Sequence, residues 1–420
     1  MLRQWLITKL FDAISNQLDI RIDIRHAGGG EQTVGPADSE GGVGIRFESP
    51  AAYRRMLFNP FAGFCEAYIN GEILILSEAG LPRFLRAILG VNFGRVLPGL
   101  RPALSLCRRL KLFSQTRLDH NSPSGCRQNA KAHYDVHHKI VKRILDPTLQ
   151  YSCARFDNGV QRLGEAQRRK TETTLLKLLI RPGDRLLDIG CGYGDLISEA
   201  ASMGAEAVGI TLSAEQAAYA TERMQSKHSV GWWRVWECDY RGVEKMLELS
   251  ATDRFNKLVS IGMFEHVGPR HWKEFFQTAF RLLETDGVFL LQTIFRDKPA
   301  PTDSWIRERI FPGGFIPDVA GVLRAAMEAG FELRHFENWQ NWYERTCAEW
   351  LANLRMLRRF VEEDFGLRHF KTLELYLAAS AAAFSRHLQV GQFVFTRGKP
   401  SWSLARMNEA IHAVSAAARA

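Results

Sequence analysis

One stretch limits what this chain can fold into more than any other: Leu186-Leu187-Asp188-Ile189-Gly190-Cys191-Gly192-Tyr193-Gly194. Its apolar start reads as a short buried strand. The strand runs straight into glycines, and Asp195–Met203 beyond them has a helical pattern. Glycine lets the backbone turn tightly and approach a ligand closely. Strand, glycine turn and helix in this order mark the place where an open α/β sheet binds a nucleotide-like cofactor. The spacing is G-x-G-x-G rather than G-x-G-x-x-G, and no Lys-Ser or Lys-Thr pair follows. A dinucleotide or a triphosphate is therefore disfavoured. A tight turn without a ligand is the plainer reading, but the flanking strand and helix favour a cofactor.

The alternation continues around this loop. Helix Glu165–Leu179 precedes strand Arg185–Ile189. Strand Ala207–Ile210, helix Ala214–Gln225, strand Lys257–Ile261, helix Arg270–Leu283 and strand Gly287–Thr293 follow. Helix Val319–Ala329 comes next, then a long helical region Arg345–Arg386 and an apolar run Gln389–Phe395, read as an edge strand. Such alternation predicts an α/β fold with a mostly parallel sheet. Upstream, residues 1–91 read as a small α+β accessory domain, with an apolar run Glu66–Ile75 and a helix Leu81–Leu89. Residues 92–128 carry Pro98, Pro102, Pro123 and the cations Arg108, Arg109 and Lys111, and read as a basic linker. Residues 129–398 form the α/β domain with a helical cap, and 399–420 an Ala-rich tail.

Length and charge set outer bounds. At roughly 100–200 residues per domain, 420 residues suggest two or three domains. No run of about 18 apolar residues exists, so a spanning helix is not expected. The formal charge of +9 and a pI near 9.2 point to an anionic partner. The seven cysteines are scattered, with no C-x-x-C pair, which argues against a disulfide framework and a thiolate zinc site; no metal is expected. The amphipathic start, Met1–Ile14, lacks a signal-peptide core, so a cytoplasmic location is the default.

An acidic residue just before G-x-G-x-G resembles the S-adenosylmethionine loop of class I methyltransferases. Two further segments fit. After strand Ala207–Ile210 comes Thr211-Leu212-Ser213-Ala214-Glu215-Gln216. Ser213 and Gln216 also make an ordinary capping box. No acid stands here for ribose hydroxyls, so Thr211 and Gln216 would serve. In Cys238-Asp239-Tyr240, Asp239 would accept from an adenine amino group and Tyr240 would pack on the ring.

Further motifs then add up to a family. His133-Tyr134-Asp135 and Leu145-Asp146-Pro147-Thr148-Leu149-Gln150-Tyr151-Ser152-Cys153-Ala154-Arg155-Phe156 resemble the HYD and LDPTxxYSCAYF signatures of cyclopropane-fatty-acyl-phospholipid and mycolic acid cyclopropane synthases. Asp188–Gly194 is similar to their DIGCGWG. Ser260–Gly268 is similar to SVGMFEHVG, Ile310–Gly314 to IFPGG, and Trp342-Tyr343-Glu344-Arg345-Thr346 to HYAxT. The resemblance spans about 129–396, and Glu66–Gly71 resembles the N-terminal domain of the longer synthases.

The resemblance implies a Rossmann-like class I fold and a chemistry. An alkene attacks the sulfonium methyl of S-adenosylmethionine, a carbocation forms, and a base removes a proton as the ring closes. A low dielectric magnifies any charge near that cation. By the resemblance, a bound bicarbonate is the base, held by Cys153, Glu265, Tyr343 and the amide of Ile294. Tyr151, Ser152, Asp188, Gly190, Gly192, Gly194, Thr211, Leu212, Gln216, Asp239 and Tyr240 hold the cofactor. The substrate is an unsaturated phospholipid acyl chain, taken at the anionic inner membrane face, and a homodimer is implied. One position departs: the family's LLHTI is Leu290-Leu291-Gln292-Thr293-Ile294, and Gln292 can donate a hydrogen bond but carries no proton or charge to an anion. Cyclopropane formation then competes with a methyl-branched, methylene or related product, and methyl transfer to another small molecule is a further alternative. No nucleic acid is expected, because Phe264-Glu265-His266 lacks the Asn/Asp-Pro-Pro-Tyr/Phe type of loop. By spacing alone, Cys153 and Tyr343 would be core residues, and Trp350, Leu351 and Leu354 an ordinary core stripe. Residues 296–318 look like a lid whose Trp305, Ile306, Ile310 and Phe311 dip into a bilayer beside Arg307 and Arg309.

Overall fold

The structure is a computed structural model that describes residues 2–36, 42–77, 79–91, 101–117, 121–122, 125, 139–157, 159–226, 230–248 and 254–417. The His133-Tyr134-Asp135 motif and much of the 92–128 linker lie outside the described residues. The chain forms two units. One comprises Met1–Lys111, Asp303–Ile306 and Glu344–Leu388; the other comprises Leu112–Thr302, Arg307–Tyr343 and Gln389–Ala420.

The first unit holds a sheet of β1 (Ile22–Arg25), β2 (Glu31–Val34), β3 (Val43–Phe47) and β4 (Ile73–Ile75), in the order β2-β1-β3-β4. Only β1 and β3 run parallel. The expected run Glu66–Ile75 is broken: a helix Pro60–Ile69 ends at Asn70, and Gly71, at φ 73°, turns the chain into β4. The long helical region is likewise three helices, Gln340–Met356, Arg358–Phe365 and Leu367–Phe384. Gly366, at φ 87°, separates the last two. Leu367–Phe384 buries Glu374, whose carboxylate accepts from Tyr68 Oη at 2.6 Å and Arg355 Nε at 2.8 Å. Two donors offset the cost of taking that charge out of water. Trp350, Leu351 and Leu354 are buried, as a core stripe should be.

The second unit is built on seven strands: β5 (Arg185–Ile189), β6 (Glu206–Thr211), β7 (Trp233–Glu237), β8 (Phe255–Ile261), β9 (Leu283–Phe295), β10 (Glu332–Asn338) and β11 (Gln389–Thr396). Their order is β10-β11-β9-β8-β5-β6-β7. The five strands from β9 to β7 are parallel, and β11 runs antiparallel between β9 and β10. The run Gln389–Phe395 is therefore not an edge strand. It has a partner on each side, and every residue from Val390 to Thr396 is buried. The true edges, β7 and β10, escaped the sequence pattern because neither contains a fully buried residue. On β9 successive side chains take opposite faces. Phe289, Leu291 and Phe295 join a phenylalanine-rich core with Phe275, Phe276 and Phe331, and Val288 and Leu290 join another with Leu186, Ile197 and Val394.

Helix Leu163–Leu178 covers the second of these faces with an unusual stripe. Gln167, Lys170, Thr171, Thr174 and Lys177 recur at helical spacing, and all are buried. The glycine loop follows β5. Gly190, Gly192 and Gly194 have φ of 91°, 53° and 79°. A Cβ on Gly190 would also stand 2.8 Å from Met263 Cβ, whereas one on Gly192 meets nothing within 4 Å. Gly190→Ala should therefore lower unfolding stability by about 1–3 kcal/mol, and more than Gly192→Ala does. Urea denaturation of the two variants checks the order, and equal losses would show that the Met263 contact yields freely.

Candidate active site

Strand order places a switch point beside β5, whose neighbours β6 and β8 lead to opposite ends of the sheet. A cavity opens there, at the strands' carboxyl ends, as expected for an open α/β sheet. Tyr151, Ser152, Asp188, Gly190, Gly192, Thr211, Leu212, Gln216, Asp239 and Tyr240 all line it. Gly194 does not; it serves as the residue before helix Asp195–Ser202.

Burial governs the electrostatics of this cavity. Asp188 lies at the end of β5, and its Oδ1 is buried without a hydrogen-bond partner. Desolvation pushes its carboxyl up to about 7, against the pull of Lys170. Lys170 Nζ donates to Ser152 Oγ at 2.6 Å. Burial pulls Lys170 down to about 8, opposed by Cys153, Asp146, Asp195 and Asp188. Gln167 Nε2 donates to the carbonyl of Ser152 at 3.0 Å. The helix thus fixes Tyr151-Ser152-Cys153 by two side chains. Sequence reasoning missed Lys170, which lines the cavity, because a lysine in a helix is normally solvated. Its phase, in line with Gln167, Thr171 and Thr174, is the signal that was there to be read.

The other cavity residues are partly committed to each other. Thr211 Oγ1 donates to Gln216 Oε1 at 2.7 Å, and Ser213 Oγ accepts from the Gln216 amide as an N-cap, but the Ser213 amide donates to Thr211 Oγ1 rather than to Gln216, so only that half of the capping box forms. Asp239 accepts from Arg241 Nε at 2.8 Å and Nη2 at 2.7 Å. The Tyr240 ring meets Phe275 edge-on at 5.3 Å. His266 lines the same cavity, and burial pulls it down to about 4, which keeps the imidazole neutral.

A second cluster stands on β8, β9 and the start of helix Gln340–Met356. Glu265 follows β8, and its Oε1 accepts from the Ile294 amide at 2.6 Å. Its Oε2 is buried without a partner. Desolvation outweighs the Ile294 hydrogen bond and pushes the carboxyl up to about 7. A carboxyl of this kind, once protonated, can donate a hydrogen bond to an anion. Cys153 is fully buried, and its Sγ lies 3.8 Å from the Trp339 carbonyl. The Tyr343 amide donates to that same carbonyl at 3.3 Å. Trp339 is tied by its own amide to Val390, the β11 partner of Ile294. One carbonyl therefore joins Cys153 and Tyr343, and one strand pair links them to Ile294. Gln292 lies on the same face of β9 as Ile294, bonded to Gln392.

The proposed lid differs from its sequence reading. Trp305 and Ile310 are buried, so they do not face a bilayer. Exposed apolar side chains stand instead on helix Arg101–Arg117, where Leu106, Leu110 and Phe113 are 57%, 58% and 62% exposed. No helix among the described residues is long and apolar enough to cross a membrane.

The family described as mycolic acid cyclopropane synthetase matches residues 122–393. Cyclopropane-fatty-acyl-phospholipid synthase of Escherichia coli (strain K12) is 32% identical over 357 residues, 84% of this chain and 88% of that one. Tuberculostearic acid methyltransferase UfaA1 of Mycobacterium tuberculosis is 30% identical over 83% and 82% of the two chains. Among solved structures, the cyclopropane synthase MmaA2 from Mycobacterium tuberculosis aligns with a TM-score of 0.59 at 31% identity, covering 64% of this chain and 98% of that one. Mycolic acid cyclopropane synthase CmaA1, solved with SAH and CTAB, gives 0.59 at 30% identity and the same coverage. The ordered motifs, the Rossmann-like sheet and these matches agree: the chain belongs to the mycolic acid cyclopropane synthetase family.

Proposed function

We propose that this chain transfers a methyl(ene) group from S-adenosylmethionine to the double bond of an unsaturated phospholipid acyl chain and forms a cyclopropane. The observation that carries the reading is Glu265, held by the Ile294 amide with its other oxygen buried and unpartnered. S-adenosylmethionine supplies an electrophilic methyl when bound. The cavity fits its polar groups: Asp188 Oδ1 is a buried acceptor that lacks a partner, and Lys170 and Ser152 stand beside it. Asp188, Ser152 and Tyr151 would hold the amino-acid end. Thr211, Leu212 and Gln216 would meet the ribose, and Asp239 and Tyr240 the adenine.

Bicarbonate would supply a base at the second cluster. Protonated Glu265 can donate to such an anion through Oε2 while Oε1 stays on Ile294. Cys153 and Tyr343 complete the cluster, and Gln292 offers an amide donor where the family has an imidazole. Burial of these groups excludes water and enlarges their effect on charge that develops nearby. Because Gln292 cannot take up a proton, a methyl-branched or methylene product is the second reading, and the resemblance to a tuberculostearic acid methyltransferase favours it as the alternative.

The same reading places the protein on the cytoplasmic face of a membrane. Helix Arg101–Arg117 supports it: Arg101, Arg108, Arg109, Lys111 and Arg117 stand on a helix with no acid, and Leu106, Leu110 and Phe113 project from one face. Apolar groups flanked by cations suit an anionic headgroup layer.

Two measurements test these statements. Incubation with S-adenosylmethionine and monounsaturated phospholipid, followed by mass and proton NMR analysis of fatty methyl esters, should give high-field cyclopropyl protons. Vinylidene or methyl-branch signals would replace the cyclopropane by the second reading, and no incorporated methyl would end both. In co-sedimentation with phosphatidylglycerol vesicles, Leu110→Ser with Phe113→Ser should weaken binding at least about tenfold. Unchanged binding would remove this helix from the membrane contact.

A further inference from the structure

Gln292 and Gln392 are direct cross-strand partners on β9 and β11, and both are buried. Gln392 Nε2 donates to Gln292 Oε1 at 2.9 Å and to Thr174 Oγ1 at 3.2 Å. Gln392 Oε1 accepts from Lys177 Nζ at 2.7 Å. Lys177 also pairs with Glu337 of β10, and its ammonium lies 5.1 Å from the centre of the Trp339 ring. The result is a buried chain of polar groups, Glu337–Lys177–Gln392–Gln292.

The direction of this chain is forced at one end. An ammonium only donates, whereas a carboxamide has a donor end and an acceptor end of similar shape. Lys177 therefore turns the oxygen of Gln392 toward itself and leaves the N–H2 for Gln292. Gln292 must answer with its own oxygen, which leaves its N–H2 on the side away from Gln392. Without such a partner, a glutamine amide has two orientations that fill the same space. Gln292 stands two residues before Ile294, whose amide holds Glu265.

We propose that Lys177 and Gln392 are positioning residues for the methyl-transfer reaction: they lock the Gln292 amide so that it presents a donor, not an acceptor, to the reacting centre. The inference rests on the function proposed above. It explains how a neutral side chain does part of an imidazole's work. The amide is preorganised toward negative charge, so no reorientation is needed as charge develops.

The lock depends on the charge of Lys177, since a neutral amine accepts as well as donates. Burial pulls Lys177 down to about 8. Glu337, on the facing strand β10, favours the ammonium; Arg155, from the segment after Cys153, opposes it; His335, also on β10, is the further titratable group in its field. Protonated Lys177 prevails below about pH 8, so the locked orientation holds there and relaxes as pH rises through it.

Gln392→Glu is the variant that decides. It keeps a partner for Lys177 but offers Gln292 only an acceptor, so the Gln292 amide must turn over. With S-adenosylmethionine and dioleoyl phosphatidylglycerol vesicles, kcat should fall about 100-fold, as on removing one preorganised donor. The KM for S-adenosylmethionine and the Tm should change little. Turnover of the unaltered protein should decline as pH rises through about 8, and Lys177→Met should be slow at every pH, keeping only the decline that Glu265 and Lys170 bring. A folded Gln392→Glu protein with unchanged kcat overturns the inference and leaves the proposed function standing. An unaltered protein whose rate is flat between about pH 7 and about pH 9 also overturns the inference, even if Lys177→Met does not fold. No methyl transfer by the unaltered protein would instead overturn the reading beneath it.

Discussion

Two ammonium groups buried on one helix face organise the second unit. Lys170 and Lys177 stand two turns apart on Leu163–Leu178, and each is only 1% exposed. An unpaired ammonium in such a place costs several kcal/mol, so each must be met by fixed acceptors. Lys170 meets Ser152, in the field of Asp188 and Asp195. Lys177 meets Glu337 and Gln392. The first contact fixes the Tyr151–Cys153 segment over the glycine loop. The second reaches across β11 to Gln292 on β9. One helix thereby reaches both the cofactor cavity and the Gln292 side chain of β9.

The sheet supplies the rest by topology. Reversal of strand order beside β5 leaves a crevice at its carboxyl end, and the positive φ of Gly190 and Gly192 lets the backbone line it. Glu265, just past β8, reaches sideways to the Ile294 amide of β9. The antiparallel pairing of β11 with β9 then brings Val390 and the Trp339 carbonyl into line with Ile294. Cys153 and Tyr343, distant in sequence, meet at that carbonyl. The cluster is thus held mostly by main-chain hydrogen bonds, which leave little freedom to rearrange.

Much of this was legible in the residues. The glycine loop, the alternating strands and the acid after β8 follow from local pattern, because strand–turn–helix chemistry is local. The edges β7 and β10 were not, since half-exposed residues give no clear apolar period. The run Gln389–Phe395 was misplaced at an edge because one apolar run looks alike with one partner or two. The buried stripe on Leu163–Leu178 was invisible for a stronger reason. Charged side chains ordinarily mark the solvent face, and only the acceptors contributed by distant strands make the opposite arrangement stable. Cys153 and Tyr343 carried no signal of their own beyond resemblance. Trp305 and Ile310 read as membrane-facing and are buried, while exposed apolar side chains stand on the basic helix Arg101–Arg117.

The proposed bicarbonate site would be built from neutral donors: the Glu265 carboxyl, raised to about 7, and the Gln292 amide. The most direct test is the methyl-transfer rate on unsaturated phospholipid in carbonate-depleted buffer, with and without added bicarbonate. The account predicts a rate at least about tenfold lower in depleted buffer, restored saturably by bicarbonate. A full rate in depleted buffer would contradict it.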